Sequence, residues 1–465
     1  MSLWKQSVYW SCLAILLGTT CLQSPSAIAD ESQRKSERMV RLVWQDGEKN
    51  TLHWGELVQV GPKLLLQQGG SIENVPALDP EKQHLVQMER VEDVLLVGVR
   101  DNDNGQFQSG WIAVDLGVDE MPHGDHSDFD YRNHPRFLAS QLDASQGNPA
   151  HMYVYDDQFY LANDKLNGFT RLTPQALRGP VEGRKGTFHR GGGSHITLAA
   201  LDNKIAYSTW SGRGKEVQGK IDVVNLAKQG EDAIAYSFQL PVGGLHGAIA
   251  NSGRIFFAPS DGIYWVDADL EFQKTAEAVQ PHHLSLGKDP ETDRPLRTGA
   301  FLNHRNWVLF NTGRQENSAL CLVDAAATQP KVIKVPIKTA DGLSLVTPKT
   351  VAAANGKRYA FLFQNKREGE IVEQLTIVDL DPNGDRDFSD AAIAKTLEIG
   401  PSKVQGHNGH HSITFDDDAR YGILTIPGTG ELWILSLENL SIIGKHNVGG
   451  MPTKILAVGG EESKH

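Results

Sequence analysis

The sequence predicts an all-β chain, a seven-bladed β-propeller forming a single domain over residues 30–465. Three observations carry that expectation. Short apolar or alternating runs are broken by Asn, Asp and Gly, as expected for short strands joined by tight turns. Amphipathic patterns of helical period are nearly absent. The runs also align as a recurring unit: a polar lead-in, a first strand, an acidic or Asn/Gly hairpin, a second strand, and a strand closing in Val-Asp or an apolar variant of it.

Residues 1–29 read as a signal peptide. Lys5 supplies the positive start, Val8 to Gly18 the apolar stretch, and Ala27-Ile28-Ala29 the small-x-small cleavage pattern, so the mature chain is expected to begin at Asp30. The apolar stretch falls short of the roughly 20 residues that cross a bilayer. A lipid anchor at Cys21 would want a large apolar residue where Gly18 stands. The expected protein is therefore secreted and not inserted in the membrane. Cys12 and Cys21 leave with the signal, and Cys321, in the apolar run Leu320–Asp324, is expected in the core without a disulfide.

Repeats give the blades. First strands are expected to start near Val91, His151, His195, His246, Thr298, Thr350 and Ser412, at spacings of about 44 to about 62 residues. Third strands end as Val114-Asp115, Val223-Val224, Val266-Asp267, Val323-Asp324, Val378-Asp379 and Ile434-Leu435. Propeller blades are four strands in about 40–50 residues, which gives seven units with insertions; the spacing also admits six or eight. Pro452 to Val458 is expected to close the ring against Val40 to Trp44.

A formal net charge of -12, with no long Lys/Arg run, argues against nucleic acid, which needs a basic surface. Histidine is the informative residue. Among 17 histidines, His151, His195, His246 and the pair His410-His411 all open a blade's first strand. First strands line the central channel of a propeller, so these imidazoles are expected to converge at one of its mouths. A second group is denser. Residues 119–134 form a loop expected to bind metal, centred on His123-Gly124-Asp125-His126-Ser127-Asp128. Imidazole and carboxylate are ligands of zinc, and the lack of a thiolate disfavours copper(I) or iron–sulfur chemistry. His53, His84, His189, His282, His283, His304, His446 and His465 share no position in the unit and are expected on the surface or in loops.

A third group, Asp379, Asp381, Asn383 and Asp385, spaces oxygens like a calcium loop, with Gly384 at the turn. Arg386 and Asp390 replace the residues such a loop prefers at its eighth and twelfth places, so an acidic inter-blade turn fits it better. The chain has no G-x-S-x-G elbow, C-x-x-C-H haem site or phosphate loop, and Gly191-Gly192-Gly193 reads as a flexible approach to a strand.

Taken with the signal peptide and the repeat, these motifs resemble the periplasmic zinc metallochaperone family AztD. The resemblance lies in His123 to Asp128, in Pro149-Ala150-His151, Gly193-Ser194-His195 and Leu245-His246-Gly247, and in Gly449 to Val458. It implies a non-enzymatic, monomeric zinc carrier that hands zinc to the solute-binding protein of a zinc ABC transporter. It also implies that His123, Asp125, His126 and Asp128 form a mobile binding segment and that the channel histidines complete the site. Two other classes remain: a propeller hydrolase or lactonase using a channel metal to activate water, and a partner-binding propeller without metal.

Overall fold

The computed structural model describes residues 37–460 apart from Pro62, Asp125, 367–370, Gly406 and His407. The expected signal peptide, with Cys12 and Cys21, lies outside these residues, as do Asp125 and the side chain of His126.

The described residues form a ring of eight blades, not seven: seven four-stranded sheets and one of five strands, with a separate two-stranded hairpin. Blade 1 is built from both ends of the chain. Its strands run Lys63–Ser71, Thr51–Val60, Glu37–Asp46 and, innermost, Pro452–Val458. The last pair is antiparallel, with Arg41 opposite Val458 and Val43 opposite Leu456, which is the expected closure. Blades 2 to 8 follow in chain order, with inner strands Gln83–Val91, Met152–Tyr155, Leu198–Leu201, Ala248–Asn251, Leu302–His304, Lys349–Ala352 and Ile413–Phe415. In blade 7 Leu343–Leu345 also pairs with Arg358–Lys366, giving the fifth strand.

The eighth blade eluded the spacing because its strands are split between the two termini. Residues 37–71 complete a blade of their own with Pro452–Val458, rather than lending one strand to a neighbour. The start placed near Val91 is also one strand off, since Val91 ends the inner strand and Val94–Asp101 is the second.

Strand alternation explains the packing. Successive side chains point to opposite faces, so each strand buries one set of residues against the blade before it and the other against the blade after it. In blade 6, Val308 and Phe310 join the cluster shared with blade 5, while Trp307 and Leu309 join the cluster shared with blade 7. Such clusters lie between every pair of neighbouring blades, including blades 8 and 1. Cys321 is fully buried in one of them, and burial pushes its thiol up to about 12.

Two histidines expected on the surface belong instead to the core. His189 is 0% exposed and stacks on Phe169; His304 is 8% exposed and packs on Phe388. Burial, with Arg171 near the first and Arg305 and Arg358 near the second, pushes both down to about 4. Neither Nε2 has a hydrogen-bond partner among the described residues, so a second ring proton would be buried unsatisfied. The unfolded chain binds these protons near 6.5 and the folded chain only near 4. Their contribution to stability is therefore complete above about pH 6.5 and is lost as pH falls toward 4. Thermal melting should show a lower midpoint at about pH 5 than at about pH 7.5, and His304→Gln should flatten that dependence.

Candidate metal centre

Three of the blade-opening histidines meet. His151, His195 and His246 come from the approaches to the inner strands of blades 3, 4 and 5, which are consecutive around the ring. Their ring centroids lie 4.5 Å (His151–His195), 5.0 Å (His195–His246) and 6.2 Å (His151–His246) apart.

Each approach is held by the backbone. The His151 carbonyl accepts from Ala162 N, and His246 N donates to Ala258 O. Gly191 to Gly193, rather than being flexible, is packed tightly before His195. Gly192 has φ +76°, a Cβ there would lie 2.3 Å from Ser208 Oγ, and its N–H donates to buried Asp222.

Each imidazole engages a partner through Nδ1. His195 Nδ1 lies 3.3 Å from Oδ2 of Asp164, a buried carboxylate whose Oδ1 accepts from Ile196 N. His246 Nδ1 lies 2.9 Å from the Gly299 carbonyl. His151 Nδ1 faces Gln87 Nε2 at 3.3 Å. Metal-bound histidines commonly use one ring nitrogen in this way while the other binds the ion. Here His151 Nε2 and His195 Nε2 lie 2.9 Å from each other. Two nitrogens bound to one tetrahedral zinc would be about 3.3 Å apart. Among the described residues no three such donors enclose an ion as they stand. In the trio the reason is visible: two ring nitrogens bond to each other instead of to a common centre.

The segment expected to be a loop is largely a β-hairpin. Val118–His123 pairs antiparallel with His126–Tyr131, between the third and fourth strands of blade 2. Gly124, with φ +74°, supplies the positive φ that a two-residue turn needs. The register explains the composition: Asp119, Met121 and His123 lie opposite Asp130, Asp128 and His126. Asp119, His123, Asp128 and Asp130, all of metal-ligand type, thus share one hairpin face. Val118 and Phe129, on the other face, are buried with blades 1 and 2. His123 Nε2 lies 3.2 Å from Asp128 Oδ2, and its side chain is 51% exposed.

The base of the hairpin is clamped by Arg41, a fully buried residue in blade 1. One guanidinium nitrogen donates to the carbonyls of Leu116 (2.6 Å), Gly117 (3.2 Å) and Asn133 (2.5 Å), at the two feet of the hairpin. The other donates to Glu56 at 2.6 Å, and the guanidinium lies against the rings of Trp54 and Tyr131.

The remaining histidine pair opens blade 8. His411 is buried, with Nδ1 2.7 Å from Asn365 Oδ1 and Nε2 2.9 Å from Gly400 O, and the Glu373 carboxylate lies 3.3 Å from Nδ1. His410 Nδ1 accepts from Asn365 Nδ2 at 3.0 Å. The structure thus gives His411 Asn365 and Gly400 as partners of its two ring nitrogens, whereas Nε2 of His151 and Nε2 of His195 meet each other. At the acidic turn, Asp381 is buried and bonded to Arg358 (2.5 Å) and to Arg386 N. Asp379 is paired with Lys357, and Asn383 and Asp385 accept from backbone N–H groups within the turn. These are the bonds of a turn within blade 7, not between blades as expected, because Gln374–Asp379 and Ala392–Glu398 on its two sides pair in one sheet.

Sequence reasoning missed the partners Asp164, Gln87 and Gly299, and the clamp Arg41. None sits in a motif; they are found only when the ring brings distant segments together.

No protein-family description and no curated protein matches the chain. Solved structures do match. The crystal structure of Citrobacter koseri AztD superposes with a TM-score of 0.62 at 18% identity, over 92% of this chain and 100% of that one. Apo AztD from Citrobacter koseri gives 0.59 at 16% identity, over the same shares. In fold, then, the chain resembles AztD along nearly its whole length.

Proposed function

We propose that the protein is a periplasmic zinc carrier, a metallochaperone that binds zinc and delivers it, as a monomer, to the solute-binding protein of a zinc ABC transporter. One observation carries this reading: three consecutive blades bring His151, His195 and His246 together, and each ring engages a partner through Nδ1. His195 and His246, donating through Nδ1, keep Nε2 for zinc, which takes nitrogen ligands in a tetrahedral shell. The AztD-like fold supports the carrier reading. So does the hairpin: His123, half-exposed, and Asp128 share the face opposite the one packed on blades 1 and 2, where ligands can engage and let go. Export to the periplasm rests on the signal pattern of residues 1–29. No helix among the described residues is long and apolar enough to cross a membrane.

Equilibrium dialysis at about pH 7.5, where reference imidazoles are mostly neutral, tests the metal. Zinc retained in the presence of excess calcium is the expected result; retention of neither, or of calcium alone, overturns it. Replacing His123 and His126 together by alanine should weaken zinc binding in a chelator competition while leaving the melting temperature of the metal-free protein unchanged. The exposed hairpin tip contributes little to the inter-blade clusters, so an early-melting variant would make these histidines structural. A hydrolase would show turnover of esters or lactones that the variant loses; a carrier shows none.

A further inference from the structure

Two groups fix the amide of Gln87. Its Oε1 accepts from the Met152 backbone N–H, so Nε2 is the end that faces His151 Nδ1 at 3.3 Å. An amide nitrogen can only donate, so His151 Nδ1 accepts and the ring proton sits on Nε2. A second chain of contacts requires the same tautomer. Asp164 can only accept from His195 Nδ1, which leaves a lone pair on His195 Nε2. The 2.9 Å contact between His195 Nε2 and His151 Nε2 then needs a proton from His151. His246, donating through Nδ1 to the Gly299 carbonyl, also keeps its lone pair on Nε2. Two of the three imidazoles are thus set as ligands, and the third presents a proton where the ion would sit.

We propose that Gln87 is a positioning residue that holds His151 in its non-ligating tautomer and so restrains ion capture by the trio. This rests on the zinc reading of that trio. For His151 to join the ion through Nε2, its proton must pass through water from Nε2 to Nδ1, with no change in ring charge. The Gln87 amide must then turn so that its oxygen accepts from Nδ1, giving up its bond to Met152 N–H. Gln87 lies on the inner strand of blade 2, at the irregularity between Leu85 and Met88, and the same blade carries the His/Asp hairpin.

Gln87→Glu tests this with almost no change of shape. One carboxylate oxygen can accept from Met152 N–H and the other from a proton on His151 Nδ1, the arrangement that favours a metal-binding Nε2. In the metal-free protein, long-range proton–nitrogen correlation of histidine-labelled samples, with the His151 signals assigned by their loss in His151→Gln, should show the proton on Nε2 in the parent and on Nδ1 in Gln87→Glu. Chelator competition should show zinc held about tenfold more tightly by Gln87→Glu, the low end of the 10–100-fold effect of such partners. A residue that only supports the strand would move neither reading in that direction. A parent protein with the proton already on Nδ1, or a Gln87→Glu variant that binds zinc no more tightly, overturns the proposal. If zinc is retained by neither protein while the tautomer changes as stated, the zinc reading falls and the hold of Gln87 on His151 stands.

Discussion

Alanine at His151, His195 and His246 together should abolish high-affinity zinc retention while leaving the ring folded. Structural zinc sites are worth about 10–16 kcal/mol, so one of four ligands carries about 3 kcal/mol, and each single replacement should weaken binding by more than about a hundredfold. The fold should survive, because stability resides in the apolar clusters between blades, and these rings lie on the approaches to inner strands rather than inside those clusters. His411→Ala should behave in the opposite way. It removes a ring buried against Phe363 and bonded to Asn365 and Gly400, so the melting temperature should fall. Dialysis and melting curves on the same samples separate the two effects. A trio variant that retains zinc like the parent would move the ion elsewhere in the molecule.

Arg41→Met should produce the largest loss of stability from a single side chain near the candidate site. The guanidinium is fully buried and satisfies three carbonyls at the feet of the hairpin together with Glu56. Removing one member of a buried ion pair costs about 3–5 kcal/mol, because the other charge stays in an apolar setting. The melting temperature should drop by several degrees, and limited proteolysis should cut first within 118–131, the segment whose feet have been released. Gly117 should show a related effect. Its φ is +64°, and a Cβ there would lie 2.3 Å from the Asn133 carbonyl, so Gly117→Ala should also loosen the hairpin. A hairpin as resistant to protease in Arg41→Met as in the parent would show that its packing through Val118 and Phe129 suffices.

Much of this was legible in the sequence, and the limits have physical causes. Strand alternation and turn residues are local, so the all-β ring, its third strands and the closing strand near the C-terminus could be read directly. The blade count could not, because blade 1 is assembled from segments about 400 residues apart and no local spacing reports that pairing. His151, His195 and His246 were recognisable because equivalent places in a repeat converge on the axis. His410 and His411 share that place in the repeat, yet Asn365, Glu373 and Gly400 engage them. That difference comes from side chains outside the repeat pattern. The 119–134 segment looked like a loop because its alternation separates ligand types from Val118, Phe129 and Tyr131, not simply polar from apolar residues. His189 and His304 looked like surface residues because a polar ring on a strand gives no sign of whether the next blade covers it.

Zinc-edge X-ray absorption on the zinc-loaded protein, beside the trio alanine variant, tests the central claim most directly. The parent should show imidazole nitrogens at about 2.0–2.1 Å, and that signature should be missing from the variant. An identical coordination shell in both proteins, or a parent shell of oxygen alone, would contradict a zinc site at His151, His195 and His246.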